Sequence, residues 1–176
     1  APVANSCTPV TSQQGLDTFT AGILKVALND FSYSSGYSKQ DGGYLDLSSS
    51  CISSITMFDG DPQQLAVSVG VNTNDVKAWI YFNNDGVFDN LLEKVFDESI
   101  GGNGTVSSSV SIPITAVRGS YLRMRVINDV GTVTSACYNA APNHGIGQIV
   151  RPIKSASYKS QKNINDFFIY RHKFES

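Results

Sequence analysis

The sequence predicts an all-β fold, an antiparallel β-sandwich of jelly-roll type that forms a single domain over residues 1–176. Three observations favour this fold class. Apolar and polar residues alternate over several short stretches, which is the period of a half-buried strand. Gly, Pro, Asn and Asp separate these stretches at short intervals. No stretch repeats its apolar residues in the way an amphipathic helix does, and 176 residues fit one domain.

The first part of the chain combines short strands with polar connections. One strand is predicted near Asp17 to Leu24 and another from Tyr44 to Leu47. Asn29 to Gly43 lies between them and is predicted to be a polar loop, long for a connection inside a compact domain. Loops of this length often carry function. Ser48 to Ser54 is predicted to form a serine-rich turn around Cys51.

The middle of the chain contains the clearest alternation. From Gln64 to Val71 every second residue is Leu or Val, so one face of this strand belongs to the core. The next strand has an apolar face and a mixed face. The apolar face consists of Val76, Ala78, Ile80 and Phe82, and the mixed face of Lys77, Trp79 and Tyr81. Val106, Val110, Ile112 and Ile114 mark a further strand of edge type, which Pro113 ends.

Tyr121 to Asn128 is the last strand that clear alternation predicts. Its core face consists of Leu122, Met124 and Val126. Arg123 and Arg125 fall on the opposite face, which is predicted to be exposed, with both arginines paired to Asp or Glu of a neighbouring strand. The tail from Ser135 to Asn163 is predicted to be irregular because it is interrupted by Pro and Gly, and Ile164 to Tyr170 is predicted to close the sheet.

A turn rich in carboxylates and amides follows the Val76 to Phe82 strand. Asn83-Asn84-Asp85-Gly86 reverses the chain, because Asn and Asp tolerate a left-handed backbone and Gly adopts positive φ without strain. Two interpretations of this turn stay open. One is an Asx-type hairpin turn with solvated side chains. The other is a calcium loop, whose oxygen ligands would be Asn83, Asp85, Val87, Asp89 and Glu93. Tyr81 stands where the first carboxylate ligand of such a loop is usual, and Glu93 comes one residue late.

The same region carries a family resemblance. WIYFNNDGVFD at residues 79–89, followed by EKVF at residues 93–96, resembles the GEVED domain family of secreted and surface proteins of bacteria. Further matching stretches are Cys7-Thr8-Pro9, Phe19-Thr20 with Gly22, Ser35-Gly36-Tyr37-Ser38, Leu122 to Val126, and Cys137. The motif that names the family is split into Gly147-Gln148 and Asn165 to Ile169, around an apparent insertion at about 149–164. The resemblance implies an extracellular domain, and it implies no single activity.

Composition supports an extracellular β protein and argues against two classes of partner. Only 16% of the residues are charged, against about 25% in a typical domain, and uncharged polar residues fill their places. The net charge is −2 and the basic residues are scattered, so no nucleic-acid footprint is present. No apolar run is long enough for a membrane-spanning helix, and we expect no membrane insertion. The beginning at Ala1-Pro2-Val3-Ala4 fits a mature secreted product or an excised domain.

Three cysteines allow one disulfide bond. In an oxidising compartment a bridge is expected. The pairing we favour is Cys7 with either Cys51 or Cys137. A bridge that closes so long a loop stabilises the fold by about 4 kcal/mol in the chain-entropy model. The alternative is three buried thiols that act as small apolar side chains.

The residues that catalysis needs are scarce, so we expect a protein that is not an enzyme. The two histidines, His144 and His172, lie in no metalloprotease motif, and no G-x-S-x-G elbow occurs. Cys137 with His144 is conceivable as a thiol dyad, but Cys137 is more simply half of a disulfide. A hydrolase that uses two carboxylates from separate strands stays open as an alternative.

We therefore expect a monomeric accessory or adhesive module, secreted or on the cell surface, that binds a glycan or a surface protein. Tyrosines on long loops present flat faces suited to sugars and to amphipathic contacts. The candidate ligand-binding residues are Tyr33, Tyr37 and Tyr44, with Trp79 and Tyr138 as further aromatic candidates. Trp79 is expected to be packed rather than exposed, because it lies in the middle of a strand. A purely structural spacer is the remaining alternative.

Overall fold

The computed structural model describes residues 6–8, 22–29, 31–34, 44–47, 55–139 and 147–156, the last range as backbone only. Ten strands and no helix occur within these ranges. The strands are β1 Ile23–Leu28, β2 Phe31–Ser34, β3 Leu45–Asp46, β4 Ile55–Phe58, β5 Gln63–Val69, β6 Asn74–Ile80, β7 Lys94–Ile100, β8 Thr105–Val110, β9 Tyr121–Asp129 and β10 Gly147–Ala156. None of the described residues belongs to a helix that could cross a membrane.

The strands form two sheets, which confirms the predicted β-sandwich. The first sheet has four strands in the order β2-β1-β5-β8, and every neighbouring pair is antiparallel. The second has six strands, five of them in the order β3-β10-β9-β6-β7, with β4 also paired to β10. Strands β6, β7, β9 and β10 pair antiparallel, whereas β3 and β4 run parallel to β10.

The main core lies between the two sheets. The alternation in β5 brings Leu65, Val67 and Val69 to the inner side, where each is at most 1% exposed. The predicted apolar face of β6 packs opposite, and β9 contributes Leu122, Met124 and Val126 as predicted. Edge strand β8 closes the four-stranded sheet beside β5, as the pattern before Pro113 predicts. The period of two in the sequence therefore fixes which side of each of these strands is buried.

A second apolar cluster covers the other face of the six-stranded sheet. Trp79 of β6, Tyr81 directly after β6 and Ile127 of β9 are fully buried there. They pack against Phe88 and against a segment after β9, residues 131–138, that contributes Val133, Ala136 and Tyr138. The prediction that this face of β9 is exposed is wrong: Arg125 is 0% exposed and Arg123 is 9% exposed. Arg125 contacts the covering segments at Cys7 and Ala136, and Arg123 contacts Asp46 of β3.

Two further predictions of local structure are wrong. The polar loop from Asn29 to Gly43 contains strand β2, which pairs with β1 over residues 31–34. The tail from Ser135 to Asn163 contains strand β10, which pairs with β9 along its length from Gly147 to Lys154. The predicted strand near Asp17 to Leu24 overlaps β1 only at its end. Its earlier part, the turn at Ser48 to Ser54 and the closing strand at Ile164 to Tyr170 lie outside the described residues.

Pro152 sits inside β10 at a position where a proline costs little. Arg123 of β9 lies opposite it, and the Arg123 carbonyl accepts from the Tyr81 N–H at 3.0 Å, so the backbone groups of Arg123 face away from β10. The nitrogen of Pro152 therefore points to the other side of β10. There, β3 pairs only as far as Val150 and β4 begins to pair at Ile153. A missing N–H falls in this gap and interrupts no ladder.

Candidate functional site

The candidate site is built on the loop that joins β6 to β7, residues 81–93. Its first turn is held by short-range side-chain bonds. Asn83 Oδ1 accepts from the Asp85 N–H at 3.1 Å, and Asp85 Oδ1 accepts from the Val87 N–H at 2.7 Å. Asn84 and Gly86 have positive φ, 54° and 90°. These are the features of consecutive Asx turns, so the hairpin-turn interpretation describes this part of the loop.

Asp89 organises the second turn of the loop. Its Oδ1 accepts from the N–H groups of Leu91 and Leu92 at 2.7 and 2.8 Å, and its carbonyl accepts from the Glu93 N–H at 3.1 Å. The backbone thus makes a single helical turn with Asp89 as its cap. The N–H groups of Leu92 and Leu91 lower the pKa of Asp89, because they favour the charged carboxylate.

Glu93 ties the two ends of the loop together. Its side chain is buried, and Oε1 accepts from the Phe82 and Asn83 N–H groups at 2.8 and 3.3 Å while Oε2 accepts from the Asp89 N–H at 2.9 Å. Burial raises the pKa of Glu93, and these three donors oppose that rise without cancelling it. Glu93 is the central support of the loop.

The five predicted calcium ligands lie in this one loop, but their oxygens face different partners. The carboxylates of Asp85, Asp89 and Glu93 all accept backbone N–H groups of the loop itself. Glu93 points inward, whereas Asn83, Asp85, Val87 and Asp89 are exposed. Within the described ranges, no three His, Cys, Asp or Glu side chains are grouped so that they could hold a metal ion. Calcium binding stays a prediction.

Behind the loop, an aromatic stack connects it to the six-stranded sheet. The rings of Tyr81 and Phe88 lie 3.6 Å apart at an angle of 26°, and the Arg125 guanidinium lies 4.9 Å from the centre of the Phe88 ring. The Tyr81 hydroxyl donates to the Gly86 carbonyl at 2.8 Å, and Ser6 N–H donates to the same carbonyl. Burial raises the pKa of Tyr81 to about 12. Tyr81 therefore supports the turn from below.

Arg125 fastens two distant segments to this stack. It donates to the Ala136 carbonyl at 2.6 Å and to the Cys7 carbonyl at 3.1 Å. Cys7 is bonded to Cys137, one of the two pairings that the sequence favours. Burial lowers the pKa of Arg125, and a hydrogen bond with Tyr44 opposes that change. Because Cys137 is in a disulfide, a thiol dyad of Cys137 with His144 is excluded.

The aromatic candidates for ligand binding are spread over different parts of the fold. Tyr33 lies on β2, half-buried against the main core, and Tyr44 precedes β3 beside Arg125. Tyr37 lies outside the described residues. Trp79 is fully buried, as its position in the strand predicts. Tyr138 donates to Asp129 at 2.6 Å, and burial together with this bond raises its pKa to about 12. Ligand binding at Tyr33, Tyr37 and Tyr44 stays a prediction.

The sequence analysis missed an exposed apolar surface at this end of the sandwich. Leu91 and Leu92 are 90% and 78% exposed, and Ile114 is 71% exposed. We call these three residues the leucine patch. The two segments that carry it are neighbours, because Leu92 lines the same cleft as Pro113 and Thr115, the residues on either side of Ile114. One signal for the patch existed: Leu91 and Leu92 are consecutive apolar residues in a turn, outside any alternation.

A cleft runs beside the leucine patch. Its volume is about 300 Å³. Its walls are Phe82, Asn83, Asp89, Leu92, Glu93, Pro113 and Thr115. The cleft is therefore lined both by Glu93, which supports the loop, and by Leu92 of the patch.

Comparison with known proteins gives a family for this region. No curated protein sequence matches the chain. Residues 75–149 match the family model described as GEVED domain. This range begins in β6, contains the 81–93 loop and all of β9, and ends at the third residue of β10. The resemblance seen in the sequence is thereby confirmed over residues 75–149, which are similar to the GEVED domain family.

Proposed function

We propose that this chain is a non-catalytic binding module of an extracellular protein, with accessory or adhesive duty, and that it binds another protein at the leucine patch. The observation that carries this proposal is the exposure of Leu91, Leu92 and Ile114 on two adjoining segments. Single exposed apolar residues are ordinary on a protein surface, but a group of them beside a cleft is typical of a binding site.

The support beneath the patch favours binding as well. The turn that carries Leu91 and Leu92 is held by Asp89 and Glu93 through five hydrogen bonds whose donors are backbone N–H groups. A rigid surface loses little conformational entropy when it binds, so more of the contact energy is available as affinity. Aliphatic side chains suit a protein partner, whereas sugars are usually met by exposed aromatic rings.

The disulfide supports the proposed location. Disulfide bonds persist in oxidising compartments and are rare in the cytosol. The Cys7–Cys137 bridge is therefore compatible with secretion or with the cell surface. A structural calcium ion in the 81–93 loop is part of the same proposal, and it would order the loop rather than perform chemistry.

Selection from a displayed library of random peptides tests the proposal. Peptides selected on the native chain are expected to bind about tenfold or more weakly to Leu91→Glu and to Ile114→Glu, because a buried charge opposes an apolar contact. Val130→Glu is the matched control, since Val130 is an exposed valine outside the patch. It should bind the selected peptides as the native chain does.

Two results would overturn the proposal. One is a library from which no peptide is enriched, or whose peptides bind both patch variants with native affinity. The other is retention of the chain on a polysaccharide matrix that is lost in Tyr33→Ala or Tyr44→Ala, because this outcome assigns the function to carbohydrate binding.

A further inference from the structure

The side of the sandwich where β7 and β8 meet exposes two strand edges that differ in charge. Strand β7 carries Lys94, Asp97 and Glu98, and such charges protect an edge against pairing with another chain. From Thr105 to Ile112 the sequence TVSSSVSI contains no charge and no proline. Within the part of the chain that the structure describes, no strand pairs with the outer edge of β8. Strand β8 thus lacks the devices that protect β7.

The hydrogen-bond pattern shows which backbone groups of β8 point outward. In an antiparallel ladder, the N–H and C=O of one residue face the same side, and the side alternates along the strand. Asn29 N–H donates to the Gln64 carbonyl at 3.2 Å, so Gln64 faces β1 and its neighbours in β5 face β8. At the other end of β5, Val69 N–H donates to the Gly104 carbonyl at 3.0 Å. Val69 therefore faces β8, as Leu65 and Val67 do.

The register of β5 with β8 then assigns each residue of β8. Val106 and Ser108 pair with Val67 and Leu65 and therefore turn their backbone groups toward β5. The backbone groups of Thr105, Ser107 and Ser109 turn outward, and the side chains of these three residues are exposed. The outer edge of β8 thus offers donors and acceptors at every second residue.

A groove lies between the two sheets at the C-terminal end of this edge, beside residues 109–113. Its volume is about 340 Å³. It is lined by Phe82, Leu92, Lys94, Val95, Ser109, Val110, Ser111 and Pro113. Strand β7 provides one wall and β8 the other, and Leu92 connects the groove to the leucine patch. A strand added to β8 would direct alternate side chains toward β7, and those beside Ser109 to Ser111 would enter this groove.

We propose that the outer edge of β8 takes up an extended segment of a partner protein as an added strand, with alternate side chains in the groove between β8 and β7. This inference rests on the proposed protein-binding function and names how the partner is held. Strand addition supplies affinity through backbone hydrogen bonds and specificity through the side chains in the pockets.

The geometry also defines the composition of the segment. Residues hydrogen-bonded to Thr105, Ser107 and Ser109 have their side chains on the same, solvent-facing side, where Ser or Thr pairs well with these hydroxyls. The residues between them face the groove, whose lining combines apolar Leu92 and Val95 with polar Ser109 and Ser111. The groove contains a single charged residue, Lys94, which is paired with Asp97. The segment is therefore uncharged, with Ser or Thr alternating with small uncharged side chains such as Val.

A second copy of this chain fits the edge less well than a single segment. If two β8 strands paired antiparallel, both four-stranded sheets would join into one, and the β7 edges of the two copies would approach each other. The charged residues of both β7 edges, Lys94, Asp97 and Glu98, would then lose contact with water. Moreover, Val106 and Val110 of the second copy are already directed toward its own core, so they could not fill the groove.

Two synthetic peptides of the same side-chain sequence test the inference. Each alternates Thr with Val and ends in a short lysine tail for solubility. In the first peptide the Val nitrogens are methylated, which leaves the Thr N–H groups free to pair with β8. In the second the Thr nitrogens are methylated instead. The first is expected to slow amide exchange of Thr105, Ser107 and Ser109 by about tenfold or more at about 1 mM peptide, and the second to leave it unchanged.

Two proline variants supply the matched control in the protein. Ser107→Pro removes an outward N–H of β8 without touching the ladder to β5, and it should weaken binding of the first peptide by about tenfold or more. Ser99→Pro makes the same change in β7. Ser99 is exposed, and its position in the pairing with β6 also turns its N–H outward. This variant should leave the affinity for the first peptide unchanged. Melting curves of both variants establish that each is folded.

Several outcomes would overturn the inference. They are equal effects of both peptides, no effect of either, protection of β7 amides instead of β8 amides, and native affinity in Ser107→Pro. Protection of the β8 amides by concentration of the chain alone would assign the edge to a second copy and also overturn it. If library peptides bind the leucine patch while the first peptide does not bind, strand addition fails and the proposed function stands.

Discussion

The two faces of the six-stranded sheet are both buried, but they are buried by different means. The inner face meets the four-stranded sheet through apolar side chains such as Val76, Ala78 and Val126. The outer face carries Trp79, Tyr81 and Arg125, and residues 6–8 and 131–138 cover it. The inner layer is closed by strands and the outer layer by loops that a disulfide and an arginine hold in place.

Local pattern determines the inner layer but not the outer one. An alternating strand with one apolar face must bury that face, whatever lies opposite. The mixed face of β6 and β9 could be wet or covered, and the outcome depends on segments more than a hundred residues apart: Cys7 and Cys137 are separated by 130 positions. The inner layer should therefore tolerate loss of the outer clamp, whereas the outer layer should not.

Removal of the disulfide is expected to have the largest effect on this comparison. Cys7→Ser combined with Cys137→Ser should lower the free energy of unfolding by about 2 to 5 kcal/mol, because the bridge closes a loop of 130 positions. Trp79 is the single tryptophan and lies in the outer cluster, so its fluorescence reports on that layer. We expect a red shift of its emission at a lower denaturant concentration than the one at which the amides of β5 lose their exchange protection.

Cys51→Ser is the control for this variant, since it leaves the bridge intact and should preserve the native emission. If the doubly substituted chain keeps native Trp79 emission and native stability, the disulfide does not hold the outer layer. Loss of protection in β5 at the same denaturant concentration as the fluorescence change would mean that the two layers unfold as one unit.

Substitution of Glu93, which lies where the two layers meet, should lower the free energy of unfolding by less than removal of the disulfide does. Glu93→Gln places an amide NH₂ against a backbone N–H, so at least one of the Phe82 and Asp89 donors loses its acceptor. A buried donor without a partner costs about 1 to 3 kcal/mol. Chemical denaturation measures this loss. Glu98→Gln on β7 should change stability by less than about 0.5 kcal/mol. Equal stability of both variants would show that Glu93 does not support the loop.

The sequence was informative where physical chemistry acts over a few residues. Alternation was sufficient for β5, β6 and β9 and for their inner faces. Strand β2 was missed because FSYS lies among turn-forming residues, and it is stabilised by pairing with β1 rather than by its own pattern. Strand β10 was missed because of Pro152, whose tolerated position depends on where β3 ends and β4 begins.

The candidate site was predicted in part for the same reason. The turn residues from Asn83 to Gly86 identify the loop, because Asx turns are local. The buried position of Glu93 depends on how the loop folds back onto Phe82, and the exposure of Ile114 depends on the packing of two segments that are distant in sequence. Such features follow from tertiary structure, and alternation carries no information about them.

Alkaline pH should loosen the outer layer selectively. Burial raises the pKa of Tyr81 from 10.0 to about 12, so the phenol ionises more readily in the unfolded chain. The contribution of the Tyr81 phenol to the free energy of unfolding is fully present below pH 10 and is lost as the pH rises toward 12. At a pH of about 11 the loss is about 1.4 kcal/mol. Tyr81→Phe should reduce the fall in melting temperature between pH 9 and 11 by a corresponding amount, and an unchanged pH profile would contradict the buried hydroxyl.

Calcium is expected to have the smallest effect, because a cation in the 81–93 loop must compete with N–H groups that Asp85 and Glu93 already accept. For a weak extracellular site with a Kd of about 1 mM, about 1 mM calcium raises the free energy of unfolding by about 0.4 kcal/mol. Melting curves in calcium, in magnesium at equal ionic strength and in chelator measure this difference. Asp85→Asn should abolish the calcium increment, since it removes a charged ligand while it keeps the bond to Val87. Identical melting temperatures in calcium and chelator would remove the calcium site, and the loop would then be held by its own hydrogen bonds in the same way as the inner layer is held by its own strands.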